Sequence, residues 1–551
     1  MTDTSNRTRF YKKVILIGWD GADWRHLRPW IAAGKLPTLA RLVEEGSHGN
    51  LRSTIRPESS VAWASFSTGV NPGQHGIYGF AGRTTSGSYA MPLTNASSVR
   101  TERFWEVLGR QQCRVGLLNV PYTYPPSPVN GFLVAGMLTP SVESEFTYPP
   151  ALKGELLKKF GTYITDVSGP NNDKARLIEN VRIYTEQQQA MALYLLKEKS
   201  WDFFSVVFVG PDRLQHFLWA DMDQNHPWYN ASSGFQGELL AHYQALDTTL
   251  SQILQAIPQD TLVFLISDHG FNGCARKFFV NHWLYEQGLL ALNSTSGVWS
   301  SSMTLLNRLY KVPLLRELKQ KLGWKKIRLS DLRSASFSNM VDWSRTQVYF
   351  GLDGGLRINL RGREPEGIVS PGQEYDDLRQ SLRQQLIALC DPLTGRPVLS
   401  AVLFNDKIYH GPYVDLAPDL ILEPQREQQN LAENYLLDGD LRATPKLVFT
   451  SSEPYSGNHA LDGIFCAWGP GVRIAYLVEG AGIIDLAPTI LGAMGCVVPK
   501  YIDGGILDIF TDPVVEQVST GTFTGRKEAQ YEYSQEETDL VEQRLRDLGY
   551  L

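Results

Sequence analysis

The sequence predicts an α/β fold, a core sheet with helices on both faces and an inserted α+β cap, and three observations carry that expectation. Short, continuously apolar runs recur at 14–18 (VILIG), 115–120 (VGLLNV), 132–137 (FLVAGM), 203–209 (FFSVVFV) and 261–267 (TLVFLIS). Apolarity without alternation over that length suits strands covered on both faces. Helix-like stretches separate the runs, which is the alternation that builds α/β sheets. The chain has 551 residues, 43% hydrophobic and 20% charged, so it buries a large core and is not disordered as a whole.

Taken in order, the polar start MTDTSNRTRFYKK runs straight into VILIGWD, which is too short for a signal peptide or a membrane span. LPTLARLVEEG, with Pro37 near its start and Gly46 at its end, reads as a helix, as does the Gln-, Ala- and Leu-rich stretch at about 179–199. From about 285 to 345 the pattern turns basic and amphipathic (LLRELKQKLGWKKIRLSDLR), and from 346 to 425 it shows shorter strands with Gly and Pro turns. This region reads as an inserted cap, with a continuation of the main layer as the alternative. The basic residues of 308–333 would suit an anionic substrate, although a solvated helix face is the commoner meaning of such a run. After 450, FCAWG and IIDLAPTILGAMG, closed by Gly495, return the chain to the first sheet, and YSQEETDLVEQRLRDLGYL forms a charged amphipathic helix ending in Gly549. The expected organisation is core 1–285, cap 286–425, core 426–515 and terminal helix 516–551.

Composition narrows the function. Lys plus Arg is 52 against 58 Asp plus Glu, a net charge of −6, which argues against a nucleic-acid polymer or a polybasic membrane anchor as partner. The five cysteines (Cys113, Cys274, Cys390, Cys466, Cys496) are odd in number and contain no CxxC pair, so neither a disulfide scaffold nor a zinc finger is expected. With no uninterrupted apolar window of about 18 residues, the expectation is a soluble cytoplasmic protein.

Four clusters at or after strand ends carry acids and histidines, where open α/β sheets place ligands. Asp20 follows VILIGW, although Asp-Gly after a strand is also an ordinary turn. In VGPDRLQHFLW, Asp212 and His216 are four apart, so a helix after Pro211 projects both from one face. That spacing suits one divalent metal, while a helix-surface pair is the bland meaning. SDHGF places Asp268 and His269 where TLVFLI ends, and Gly270 supplies the break that lets neighbouring residues reach two adjacent metals. His459 lies in the Gly-rich YSGNHALDG, where a lone histidine is more often solvent-exposed. Together these are three Asp and three His, the mixed oxygen and nitrogen set for two zinc-type ions. Two metals about 4 Å apart clamp the attacking and leaving oxygens of an in-line phosphoryl displacement. A nucleophile candidate lies in RPESSVAWASFSTG, where Ser59 or Ser60 precedes a short helix closed by Gly69. A serine there sits at the positive end of the helix, which favours phosphate and alkoxide, although capping alone also explains it.

In their order, VILIGWDGAD, SSVAWASFSTGVNPGQHGI, GPDRLQHFLW, SDHGF, GNHALDGIF and DLAPTILGAMG resemble the alkaline phosphatase superfamily. The nearest branch is the type I phosphodiesterase/nucleotide pyrophosphatase family, including its cytosolic phosphohydrolase/phosphomutase group. The resemblance implies an alkaline-phosphatase-like core, one metal on Asp20, Ser59, Asp268 and His269, and a second on Asp212, His216 and His459. Zinc is the family expectation, and manganese suits the same ligands. Family members place the nucleophile nine residues before the Thr of an STG-type triplet, here Thr68, which points to Ser59. A covalent phosphoseryl intermediate and a small phosphorylated substrate, nucleotides included, are implied with it. The sequence departs from the family in two places. Phe80 stands about where the diesterases carry a phosphate-binding Asn, leaving Arg83, Lys277 or backbone N–H groups as donors, and the usual Thr nucleophile is Ser. A cofactor-independent phosphomutase and a non-catalytic metal-stabilised binding protein are the alternatives. The cap aromatics Trp324, Trp343 and Tyr349 read as core rather than as a base-stacking platform.

Overall fold

A computed structural model describes residues 11–83, 88–167, 173–293, 337–425, 434–441, 447–514, 518–519 and 531–551. Its principal strands are β1 (Val14–Trp19), β2 (Ser47–Arg52), β3 (Val115–Leu118), β4 (Gly131–Val134), β5 (Thr147–Tyr148), β6 (Phe203–Phe208), β7 (Leu262–Ile266), β8 (Gly270–Phe279), β9 (Val348–Phe350), β10 (Gly355–Ile358), β11 (Leu399–Phe404), β12 (Leu420–Pro424), β13 (Asn434–Asp438), β14 (Phe449–Ser451), β15 (Gly457–Ala460), β16 (Asp462–Trp468) and β17 (Tyr476–Val478).

Nine strands form the main sheet in the order β17-β2-β16-β7-β1-β6-β3-β4-β5. All five apolar runs of the sequence lie in it, and β7, β1, β6, β3 and β4 run parallel. Val14, Ile15, Leu16 and Ile17 are each fully buried, and because alternate residues face opposite ways, both faces of the sheet are covered. The FCAWG run returns as β16, antiparallel to both β7 and β2. β2 therefore points the same way as β1. The carboxyl ends of β1, β2, β6 and β7 share one edge with the amino end of β16, and the candidate residues lie on that edge. The Leu486–Ala493 helix packs against the Ser59–Thr68 helix, tying the end of the chain to its beginning.

β8 leads away from this edge. Its first half pairs with β15, and its second half lies between β13 and β14. Beyond it, β11, β12, β10 and β9 form an antiparallel sheet with a hydrophobic cluster of its own that includes Leu356, Leu382, Val402 and Leu420. Trp343 and Tyr349 belong to that cluster, and Tyr89 stacks on Trp343 at 3.5 Å, so these cap aromatics are core as expected. Trp324 and the basic run 308–333 lie outside the described residues. Near the C-terminus, Ser534 and Glu537 form a reciprocal capping box at the start of the Gln535–Asp547 helix, whose Val541 and Leu545 are buried.

Candidate functional site

Each candidate residue is delivered by a local event at the shared edge. β1 ends at Trp19, the Asp20 N–H still bonds to the Phe208 carbonyl (3.1 Å), and the chain turns at Gly21 with φ +71°. The Trp63 indole N–H donates to Asp20 Oδ2 at 3.0 Å, while Asp20 Oδ1 is buried with no hydrogen-bond partner. The Ser59–Thr68 helix begins at Ser59, and one step of rotation separates the two serines: Ser59 Oγ lies 3.2 Å from His269 Nε2, whereas Ser60 Oγ donates to Glu58 Oε1 at 2.7 Å. Helix Gly210–Met222 starts as expected around Pro211 and presents Asp212 and His216 together, Asp212 Oδ1 lying 3.5 Å from His216 Nε2.

Between β7 and β8 the strand breaks, and Asp268 and His269 are both fully buried there. A Cβ on Gly270 would lie 2.2 Å from the Asp462 carbonyl oxygen. Glycine is thus required by the close approach of two segments of the chain. β15 carries His459 over the same spot, its Nε2 lying 3.1 Å from Asp212 Oδ1 and 3.1 Å from His216 Nε2. Its side chain is only 9% exposed, against the ordinary fate of a histidine in a Gly-rich loop.

Asp20, Ser59, Asp212, His216, Asp268, His269 and His459 therefore converge. Two sets of ligand atoms lie within 4.8 Å of one another, Asp212 with His216 and His459, and Asp20 with Asp212 and His269. The first is the triad expected for one metal. The second differs from the expected set in that Asp212 is common to both, while Asp268 stands beside it with Oδ2 3.4 Å from His269 Nε2.

The donor set fits divalent cations on three physical grounds. Asp20 Oδ1 and Asp268 Oδ2 are buried and unpartnered, a state that costs free energy unless a cation or proton meets them. Burial and repulsion from Asp268 and Asp212 hold Asp20 well above the usual carboxylate range, and burial with the Asp212 charge pushes Asp268 up to about 7. His269 Nδ1 lies 3.0 Å from the Gly270 carbonyl, and His216 Nδ1 lies 3.2 Å from that of Gly457. A carbonyl only accepts, so both Nδ1 atoms carry hydrogen, and in the neutral rings each Nε2 lone pair faces the cluster, the orientation of metal-ligating histidine. Burial, followed by His269, lowers the His459 pKa to about 3 and keeps that ring neutral. Asp212 stays well below the usual range: burial opposes its ionisation, but His216, His459 and Arg213 outweigh it.

Both side chains expected as phosphate donors are ion-paired. Arg83 forms an ion pair with Glu364 at 2.9 Å and donates to the Arg363 carbonyl. Lys277 pairs with Asp438 at 2.9 Å and lines a cavity of about 850 Å³ that reaches down to His216 and His459. Phe80 is buried, and its backbone N–H bonds to Glu58 Oε1 at 3.2 Å. Three residues at the site were not read from the sequence: Trp63, Arg213 and Tyr550. Arg213 is buried between Asp166 (3.0 Å) and Asp212 (2.5 Å), and its neighbour position in DRLQH was the available signal. Tyr550 has no such signal, since it lies 338 positions from the Asp212 that its hydroxyl contacts.

A mixed sheet with acids and histidines gathered at the carboxyl edge of its parallel strands, beside a serine opening a helix, is the arrangement of a phosphoric ester hydrolase. The chain belongs to the type I phosphodiesterase/nucleotide pyrophosphatase family, whose model matches residues 14–440. No curated protein sequence matches it. Among solved structures it is similar to human ectonucleotide pyrophosphatase/phosphodiesterase 5, with 13% identity and a TM-score of 0.50 over 91% of this chain and 100% of that one. It is also similar to phosphonoacetate hydrolase from Sinorhizobium meliloti 1021 in complex with phosphonoformate, with 14% identity and a TM-score of 0.50 over 87% of this chain and 95% of that one. At these identities the likeness is one of fold. No helix among the described residues is long and apolar enough to cross a membrane.

Proposed function

We propose that the protein cleaves phosphoester bonds of a small phosphorylated substrate, in the manner of a phosphodiesterase or nucleotide pyrophosphatase, through a phosphoseryl intermediate on Ser59. The observation that carries this reading is the placing of Ser59 Oγ, at the start of a helix and 3.2 Å from His269 Nε2, beside the two ligand sets that share Asp212. Asp20, Asp268 and His269 with Ser59 would hold one divalent cation, and Asp212, His216 and His459 a second, zinc by preference and manganese with the same donors. Bound there, such cations supply positive charge that lowers the pKa of the nucleophile and stabilises the charge developing on phosphoryl oxygens.

The chain's own residues supply the rest. The positive end of the Ser59–Thr68 helix favours both the phosphoryl group and the Ser59 alkoxide. Ser59 Oγ, having released its proton to solvent, forms the Oγ–P bond as the bond from phosphorus to the leaving oxygen breaks on the opposite side, and the leaving oxygen takes up a proton from solvent. Water then attacks phosphorus, the Oγ–P bond breaks, and Ser59 is regenerated. The cavity above His216 and His459, lined by Met91, Met340, Tyr349, Phe350, Leu422 and Lys277, has room for the organic part of the substrate. A nucleic-acid polymer is not the substrate in this reading, and the enzyme works in the cytoplasm.

Hydrolysis of paired p-nitrophenyl mono- and diesters tests it, with metal-stripped protein reconstituted separately with zinc and manganese. Metal-dependent diester cleavage that disappears in Ser59→Ala supports the proposal. Activity surviving in Ser59→Ala overturns the nucleophile, and transfer that conserves organic phosphate replaces hydrolysis with mutase chemistry.

A further inference from the structure

Asp212 is the residue common to both ligand sets, and its two oxygens have different surroundings. Oδ1 faces inward, 3.1 Å from His459 Nε2, 3.5 Å from His216 Nε2 and 3.9 Å from His269 Nε2. Oδ2 is taken up from the other side, by Arg213 Nη1 at 2.5 Å and by the Tyr550 hydroxyl at 2.5 Å. Arg213 Nη1 also donates to the Tyr550 oxygen at 2.9 Å. A phenol has one proton, and here it is spent on Asp212, so Tyr550 does not also donate to a substrate phosphate.

The segment that carries Tyr550 is anchored at several points. Leu545 and Leu548 are buried, and the Arg544 guanidinium donates to the carbonyls of Thr139 and Pro140, both at 2.9 Å. The chain then reverses at Gly549, whose φ of +86° and close approach to the Tyr455 ring exclude a side chain. The Tyr550 N–H bonds back to the Leu545 carbonyl at 2.9 Å. Its ring packs on Phe80 at 4.9 Å and lies 5.7 Å from each of the His216 and His459 rings. Phe80 thus supports the tyrosine from a segment distant in sequence.

We propose that Tyr550 is a positioning residue of the metal centre: with Arg213 it occupies Asp212 Oδ2, so that Asp212 presents Oδ1 alone to the cations. The proposal rests on the reading of the cluster as a metal centre. It makes the C-terminal segment a built part of the site. Donors behind a metal-binding carboxylate fix its orientation and basicity, and losing one typically weakens metal binding about 10- to 100-fold.

The test is a competition titration of the metal-free full-length protein with Zn²⁺ and with Mn²⁺ against a chromophoric chelator, for wild type, Tyr550→Phe and Tyr533→Phe. Tyr550→Phe keeps the ring packing and removes only the donor. Tyr533→Phe is the matched control, because its hydroxyl bonds the Leu138 carbonyl at 3.1 Å in the same C-terminal region. The expected result is metal affinity lower by about 10- to 100-fold in Tyr550→Phe and unchanged in Tyr533→Phe, with equal melting temperatures for all three metal-free proteins. Equal affinity in wild type and Tyr550→Phe overturns the positioning role while leaving the metal centre standing. Equal loss in both variants assigns the effect to docking of the segment and also overturns it. A wild type that binds neither ion overturns the metal centre and this inference together.

Discussion

Replacing Asp268 with Asn should stabilise the metal-free protein at alkaline pH while impairing its response to metal. Asp268 is fully buried, its Oδ1 accepts from the Gly21 N–H at 3.3 Å, and its Oδ2 has no partner. Burial and the Asp212 charge raise its pKa from 3.8 to about 7. A folded-state pKa above the unfolded one means that the stabilising contribution is complete below 3.8 and is lost as pH rises through 7. At about 1.4 kcal/mol per pH unit, the deprotonated carboxylate costs folding about 4 kcal/mol at pH 8 but only about 1.6 kcal/mol at pH 5. Asn removes the charge, keeps an acceptor for Gly21 and places N–H donors where the unpartnered oxygen stood. Calorimetric unfolding in chelator should therefore show Asp268→Asn melting above wild type at pH 8, with the gap narrowing by more than half at pH 5. Adding Zn²⁺ should raise the wild-type melting temperature, a ligand at 100 times its Kd being worth about 2.7 kcal/mol, and raise that of Asp268→Asn much less. A gap that does not change with pH, or no gap at pH 8, would refute the charge crowding from which the metal centre is argued.

Ser59→Ala should lower turnover of a phosphodiester by at least about a thousand-fold, whereas Ser60→Ala, whose hydroxyl serves Glu58, should keep most of it; steady-state kinetics of the two variants decides between them. Arg213→Met removes the cation paired with the buried Asp166 and Asp212 carboxylates and should destabilise the protein by about 3 to 5 kcal/mol in denaturant titration, with no loss pointing to ion pairs that do not persist in solution. Arg83→Ala breaks the contact with Glu364 and should lower stability while leaving catalytic efficiency unchanged. A fall in efficiency without a fall in stability would return Arg83 to the substrate. A Cβ on Gly457 would lie 2.4 Å from the Gln215 carbonyl oxygen, so Gly457→Ala should displace His459 and weaken metal binding in the chelator titration.

Much of the site was legible because strand ends were legible. The runs ending at Trp19, Phe208 and Ile266 are apolar but for Ser205 and break near Gly or Pro, and the acids and histidines that follow them mark the carboxyl edge before any pairing is known. The Asp212–His216 pair needed only the helical spacing. His459 was harder, since β15 is short and half polar, and its burial comes from pairing with β8. Arg83 and Lys277 are the expected phosphate donors, but ion pairs to Glu364 and Asp438 claim both, and those partners are remote in sequence.

The sequence by itself determined the α/β class, strands β1, β3, β4, β6, β7 and β16 of the main sheet, the family and the inventory of candidate ligands, because each of these rests on local periodicity or on the order of motifs along one chain. Tertiary structure alone decided which atoms meet. The order of strands sets β1 between β6 and β7 and brings His459, 247 positions away, onto Asp212. One step of helix rotation, about 100°, turns Ser59 and not Ser60 toward His269. Tyr550 reaches Asp212 across 338 positions because the terminal helix docks on the core and Gly549 reverses the chain. Contacts of that kind depend on packing between distant segments, and no local pattern in the sequence encodes them.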